Sequence, residues 1–384
     1  MGFKTDTKQY VANAINEKNG TNNLTILDNM KILHTHTPFA LECGDILPEL
    51  DIAYHTYGTM NADGSNVIWV CHALTGSSDA ADWWAGLIGN GKFFNPFEHF
   101  IVCANMIGSH YGSTSPLSID PRTGRFYGRN FPVITIRDVA NAHHLLAQNL
   151  GIQRIKLCIG GSMGGQQVLE WAIQAPDFFE QIAVIACGPK MMPWGVALNE
   201  TQRMAIEADP SVSAENVEKI TDLETLKSVG AKGMEAARAI GMLSYRSYEG
   251  YNIAQLDDTD AIDTFKVQSY QRYQGHKLRS RFNALSYISV SKTMDSHNVG
   301  RNRGGLTQAL EQIKADTLIV GIQSDILFPI EEQAALAAYI PKSRFEVINS
   351  KFGHDGFLIE FDQLLSLFER FTGRKIGSQM TFTI

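Results

Sequence analysis

The chain has 384 residues, 44% of them hydrophobic and 19% charged, which is enough for one large domain with an insertion or for two domains. Its net charge of −7 repels nucleic-acid phosphates, and no stretch approaches the roughly 20 apolar residues that cross a bilayer. Neither nucleic acid nor membrane is therefore expected as a partner. Five cysteines, at 43, 71, 103, 158 and 187, form no C-x-x-C pair, and three lie in apolar strand-like runs. That is the pattern of reduced, buried thiols in a cytoplasmic protein.

The first thirty residues, MGFKTDTKQYVANAINEKNGTNNLTILDNM, hold no continuous apolar core, so no signal peptide is expected. ELDIAYHTYGTM (49–60) alternates in character and reads as an antiparallel strand. Short β-rich apolar runs then recur: NVIWVCH (66–72), FIVCAN (100–105), RIKLCIG (154–160), QIAVIACG (181–188), DTLIVGI (316–322) and RFEVINS (344–350). Helical patterns separate several of them. They are VANAHHLLAQNL (139–150), MGGQQVLEWAIQ (163–174), PIEEQAALAAYI (329–340) and FLIEFDQLLSLFERF (357–371). Apolar strands alternating with helices predict an α/β fold, a mostly parallel central sheet flanked by helices. The alternation stops near Gly188 and resumes near Asp316, and the intervening segment carries helical stretches with few strand signals. The expected organisation is a discontinuous core, residues 1–188 and 308–384, with residues 189–307 as a helical lid. No repeat or metal-ligand spacing is apparent. His143 and His144 are neighbours on a helix and point apart, so no metal is expected.

The stretch CIGGSMGGQQVLEWA (158–172) places Ser162 in a G-x-S-x-G pattern directly after an apolar strand. Such a strand-to-helix turn projects a serine hydroxyl into the open, and the glycines are expected to clear room for it and let its backbone approach a substrate. Serine at neutral pH needs an adjacent base, itself held by a third group. In a parallel sheet those groups gather beyond the carboxyl ends of later strands. DTLIVGI is followed by Asp325, and RFEVINS by His354. Taken singly, Asp325 reads equally as a cap for the helix near Pro329, and His354 as a turn histidine. Together, in the order Ser162, Asp325, His354, they match the α/β-hydrolase arrangement of nucleophile, acid and base. Oxyanion donors are expected from the backbone N–H of Met163 and, in the HALTGSS loop, of Leu74. This reading reaches serine acyl chemistry and does not separate a transferase from an esterase or thioesterase. A noncatalytic binding protein would have no need of all three groups.

Several longer motifs, HALTG (72–76), DWWAGLIGNGK (82–92), FPVITIRD (131–138), GGSMGGQQVLEW (160–171), QGHKLRSRFNALSY (274–287), SHNVGRNRGG (296–305) and GHDGFLIE (353–360), resemble homoserine O-acetyltransferases. The resemblance covers nearly the whole chain. It implies an α/β-hydrolase fold with a helical lid insertion. It also implies acetyl transfer from acetyl-CoA to the hydroxyl of L-homoserine, a step toward methionine, with no tightly bound cofactor. A homodimer associated through the lid is a further expectation. Succinyltransferases are neighbours on the same fold. The chain departs from the family at Gly108–Pro116, which reads GSHYGSTSP, and the lid around 246–268 is shorter.

By the same resemblance, Asp355 takes the amino group of the acceptor and Arg238 its carboxylate; Asp355 otherwise reads as a cap for a helix near Gly356. Arg203 competes with Arg238, and Tyr245, seven residues on from Arg238, falls on the same helical face. The tract 272–303 carries seven basic residues, at 272, 277, 279, 281, 292, 301 and 303, against one acid, Asp295. It reads either as a solvated or dimer-contact face or as a rim for the phosphates of CoA.

Overall fold

The computed structural model describes residues 30–260 and 262–375; the reading of the N-terminal segment as lacking a signal peptide concerns residues outside that range. The apolar runs become the strands of an eight-stranded sheet. In chain order they are β1 (Lys31–Thr35), β2 (Leu50–Tyr57), β3 (Val67–Cys71), β4 (Phe100–Ala104), β5 (Ile155–Gly161), β6 (Phe179–Ile185), β7 (Asp316–Ile322) and β8 (Ser343–Ile348). Their spatial order is β1-β2-β4-β3-β5-β6-β7-β8. All neighbours from β4 to β8 run parallel, while β2 pairs antiparallel with both β1 and β4.

The strands are apolar at nearly every position because both faces are covered. On β3, Trp69 and Cys71 pack into one core layer and Ile68 and Val70 into the other. Cys158 opposes Leu157 and Ile159 on β5 in the same way, as Ile182 and Val184 oppose Ala183 and Ile185 on β6. The first layer includes α1 (Ile136–Asn149) and α2 (Met163–Gln174). The second includes α9 (Phe361–Thr372), which turns Leu364, Leu367, Phe368 and Phe371 inward at helical spacing. Helix α1 begins three residues before its apolar pattern, at a capping box in which Thr135 and Asp138 bond each other's backbone.

Between β6 and β7 the described residues form no strand of a sheet. The main helices there are α3 (Pro193–Glu207), α4 (Ala231–Tyr245), α5 (Tyr248–Gln255), α6 (Lys266–Arg279) and α7 (Ala284–Asp295). After β7 comes α8 (Ile330–Tyr339). Two local expectations fail. The run FLIEFDQLLSLFERF does not start as an α-helix: Gly353–Leu358 is a 3₁₀ turn, and α9 starts only at Phe361. A glycine at φ +65 heads that turn, and Asp355 caps no helix there. Cys71, Cys103, Cys158 and Cys187 are buried thiols as expected, but Cys43 is exposed. No helix among the described residues is long and apolar enough to cross a membrane.

Candidate active site

Ser162 ends β5 and begins α2 with φ 56° and ψ −128°, a conformation that costs a non-glycine residue about 1–3 kcal/mol and that the surroundings must enforce. They do so by close packing. A Cβ on Gly160 would lie 2.3 Å from the backbone of Gly164, and one on Gly164 would lie 2.2 Å from the carbonyl oxygen of Cys71. A Cβ on Gly161 would strike the Phe357 ring, and the Ser162 amide donates to the Ile185 carbonyl at 2.9 Å. The glycines therefore let α2 press against β3 and the histidine loop. Close contact between backbone segments is what these glycines serve in the described structure.

Asp325 follows β7 and divides its oxygens between the two roles the sequence allowed. Oδ1 accepts from the amides of Leu327 and Phe328, at 2.8 and 3.0 Å, shaping the turn before α8. Oδ2 accepts from His354 Nδ1 at 2.7 Å. The two loops are also laced together, because Ser324 donates to the Ser350 carbonyl and accepts from the Gly353 amide. His354 is buried among the rings of Phe328, Tyr245 and Phe357. Burial disfavours its charged form, but the Asp325 carboxylate, by charge and hydrogen bond, and then Asp355 outweigh it, so the imidazole pKa is raised. With Nδ1 engaged, Nε2 has no hydrogen-bond partner among the described residues. Half-buried Glu332, missed by the sequence reading, faces the same corner. Burial, Asp325 and Glu331 push its carboxyl up to about 7, which relieves Asp325 of part of a neighbouring charge at neutral pH.

Ser162 and His354 meet at a cavity of about 500 Å³ between the sheet end and the lid. Leu74, Arg238, Tyr245 and Asp355 line it too, so the structure gathers most of the residues read from sequence. Among the described residues, the amides of Leu74 and Met163 donate to no acceptor, as oxyanion donors require; the Met163 side chain itself is buried in the core. The Arg238 guanidinium lies 5.3 Å over the Tyr245 ring, which confirms their shared helical face, and no described carboxylate pairs with it.

Other readings change. Arg203 is buried away from the cavity, bridging Asp295 at 2.7 Å and Glu200, and so holds α3 to α7. Asp355 reaches the cavity, but Arg246, at the end of α4, stands 3.2 Å from its Oδ2 in an ion pair not aligned as a hydrogen bond. That partner left no sequence signal. The basic tract divides as well. Arg301 and Arg303 close with Arg137 around Glu42 and Glu170, and Arg279 pairs with Glu235. Of the seven, Lys277 and Arg281 line the cavity. Arg281 donates to the Thr75 carbonyl at 2.7 Å and to the Tyr111 hydroxyl at 2.8 Å, tying the Leu74–Thr75 loop to the stretch 108–116.

Comparison with known proteins agrees with this architecture. Residues 66–361 match the family model described as alpha/beta hydrolase fold. The homoserine O-acetyltransferase of Cyclobacterium marinum is 46% identical over 348 residues, covering 91% of this chain and 96% of that protein. The crystal structure of a homoserine O-acetyltransferase from Bacillus anthracis shares the fold, with a TM-score of 0.81 over 91% of this chain and 99% of that one, at 23% identity. An acetylester hydrolase from Corynebacterium glutamicum is similar with a TM-score of 0.79, at 25% identity, over 90% and 96%.

Proposed function

The chain belongs to the homoserine O-acetyltransferases of the α/β-hydrolase fold, and from that premise we propose that it uses acetyl-CoA as donor and works through an acetyl-serine. The observation that carries the mechanism is the cavity itself. It joins Ser162 and the unpartnered Nε2 of His354 to an unpaired arginine and a carboxylate suited to a zwitterionic acceptor.

His354 Nε2 takes the proton of Ser162 as Oγ attacks the thioester carbonyl, and the Leu74 and Met163 amides hold the oxyanion. The C–S bond breaks, and the His354 proton leaves with the CoA thiolate. L-Homoserine then enters, its carboxylate on Arg238 and its ammonium on Asp355. His354 takes the γ-hydroxyl proton as that oxygen attacks the acetyl-serine, and the proton returns to Ser162 Oγ as the ester bond to it breaks. Asp325 keeps the imidazole oriented and stabilises its cation.

The test is CoA release from acetyl-CoA with and without homoserine. Steady release only with homoserine supports transfer, whereas equal release without it makes the protein a thioesterase. Mass spectrometry after mixing with acetyl-CoA alone should find an acetyl group on Ser162. A higher kcat/KM with succinyl-CoA would overturn the donor. Association of two chains through the lid is part of the same reading. It is supported by exposed apolar side chains on α4 to α6, among them Leu243, Tyr248, Ile253, Leu256 and Tyr273. Light scattering should give a dimer mass that Leu256→Asp with Tyr248→Asp lowers.

A further inference from the structure

At the far edge of the sheet, three metal-ligating side chains converge: His34, His36 and Glu49, with ligand atoms all within 4.8 Å of one another. None of them lines the catalytic cavity. Strand geometry assembles them. His34 on β1 sits directly opposite Asp51 on β2, and His36 and Glu49 lie one residue past the paired ends of those strands, where their ligand atoms come together beside His34. The sequence reading found no metal-ligand spacing because β1, short and half exposed, was not recognised as a strand.

The distances suit a metal. His34 Nδ1 is held by Asp51 Oδ1 at 2.5 Å, and Nε2 faces His36 Nδ1 at 3.3 Å. That nitrogen in turn lies 3.5 Å from Glu49 Oε2. Two ligand atoms at about 2.0–2.1 Å from a tetrahedral zinc stand roughly 3.3–3.4 Å apart. A carboxylate on the far nitrogen of a ligating histidine is the partner that fixes its ring and tautomer. We propose that His34, His36 and Glu49 bind one divalent transition ion of the zinc class, with Asp51 orienting His34 and water completing the shell. Two imidazoles and one carboxylate select zinc, nickel or copper over calcium and magnesium, which take oxygen donors. The bound ion clamps edge strand β1 to β2. Through Asp51, whose backbone bonds Thr114 twice, it also clamps the 108–116 segment.

The same spacings could instead be a metal-free relay of hydrogen bonds from Asp51 to Glu49, and binding distinguishes the two. Tag-free full-length protein is titrated with Zn²⁺ against a chromophoric chelator, and with Co²⁺ while its visible spectrum is followed. The expected result is one equivalent per chain, with the intense bands of four-coordinate cobalt. His36→Ala and Glu49→Gln should abolish the spectrum, and Asp51→Asn should weaken zinc about 10-fold or more while keeping one equivalent. Acetyl transfer should be unchanged in His36→Ala. Wild-type protein that binds zinc no more tightly than His36→Ala overturns the site and leaves the relay. Circular dichroism of each variant separates lost binding from lost folding.

Discussion

The cavity has two walls, and they are built differently. On the sheet side, Ser162 is pinned by backbone contacts in a strained conformation, and Asp325 spends both oxygens on fixed partners. On the lid side, Arg238, Lys277 and Arg281 bring charged groups to the cavity from α4, α6 and the loop that follows, and the Arg246–Asp355 pair is not even aligned as a hydrogen bond. A site that makes and breaks an acyl bond needs its reacting atoms held to fractions of an ångström, whereas a site that admits two successive substrates needs a wall that can rearrange. On the proposed mechanism the chemistry sits in the sheet and the choice of acceptor in the lid.

The comparison breaks most sharply if both walls fail alike. Ser162→Ala should remove the acetyl adduct and lower kcat by about 10⁴-fold or more, with the fold intact by circular dichroism. Asp325→Asn should cost roughly 10³–10⁴-fold in kcat, because an amide cannot hold the histidine in the tautomer that accepts from serine. Its carbonyl can still accept from Leu327 and Phe328, so a collapse of thermal stability in place of activity would assign Asp325 to the turn alone. Arg238→Ala should leave acetylation by acetyl-CoA intact and lower transfer to homoserine about tenfold or more. Equal loss in both half-reactions would place Arg238 in the sheet-side machinery.

The same division explains what could be read from the chain. Strands covered on both faces announce themselves, and groups that must follow particular strands are found by position, so Ser162, Asp325 and His354 were legible. Lid-side roles were not legible in that way, because a charge on a helix has no periodicity that tells a ligand from an ion pair. Arg203 and Arg238 look alike in sequence, and only the fold turns one toward Asp295 and the other toward the cavity. Arg246 and Glu332 were invisible for the same reason, since their partners are distant in the chain. β1 escaped because an edge strand, exposed on one face, carries too few apolar residues to signal itself.

Asp355 touches both walls, and pH separates its two effects. His354 accepts the serine proton only when neutral, so acetylation fails as pH falls through its pKa. Asp325 and Asp355 hold that pKa above its usual value against burial, so Asp355→Asn, by removing one negative charge, must lower it. The acid limb of the single-turnover acetylation rate should move to lower pH, while KM for homoserine rises. A limb that stays in place would mean that Arg246 already cancels the charge of Asp355 at the imidazole.

The smallest effect is expected where the lid meets solvent. Lys277 and Arg281 come from the same basic tract and line the same cavity, and Arg281 grips the Leu74–Thr75 loop through the Thr75 carbonyl. If Lys277 steers the phosphates of CoA, its charge acts at long range and is screened by salt. Lys277→Ala should then raise KM for acetyl-CoA by roughly 2- to 5-fold at low ionic strength and leave kcat unchanged, and about 0.5 M salt should erase the difference. Arg281→Ala should lower kcat as well, because a loop freed at Thr75 no longer holds the Leu74 amide where the oxyanion forms, and salt should not restore it. Identical, salt-sensitive behaviour in the two variants would make both residues part of one electrostatic rim and remove Arg281 from the positioning of the oxyanion hole.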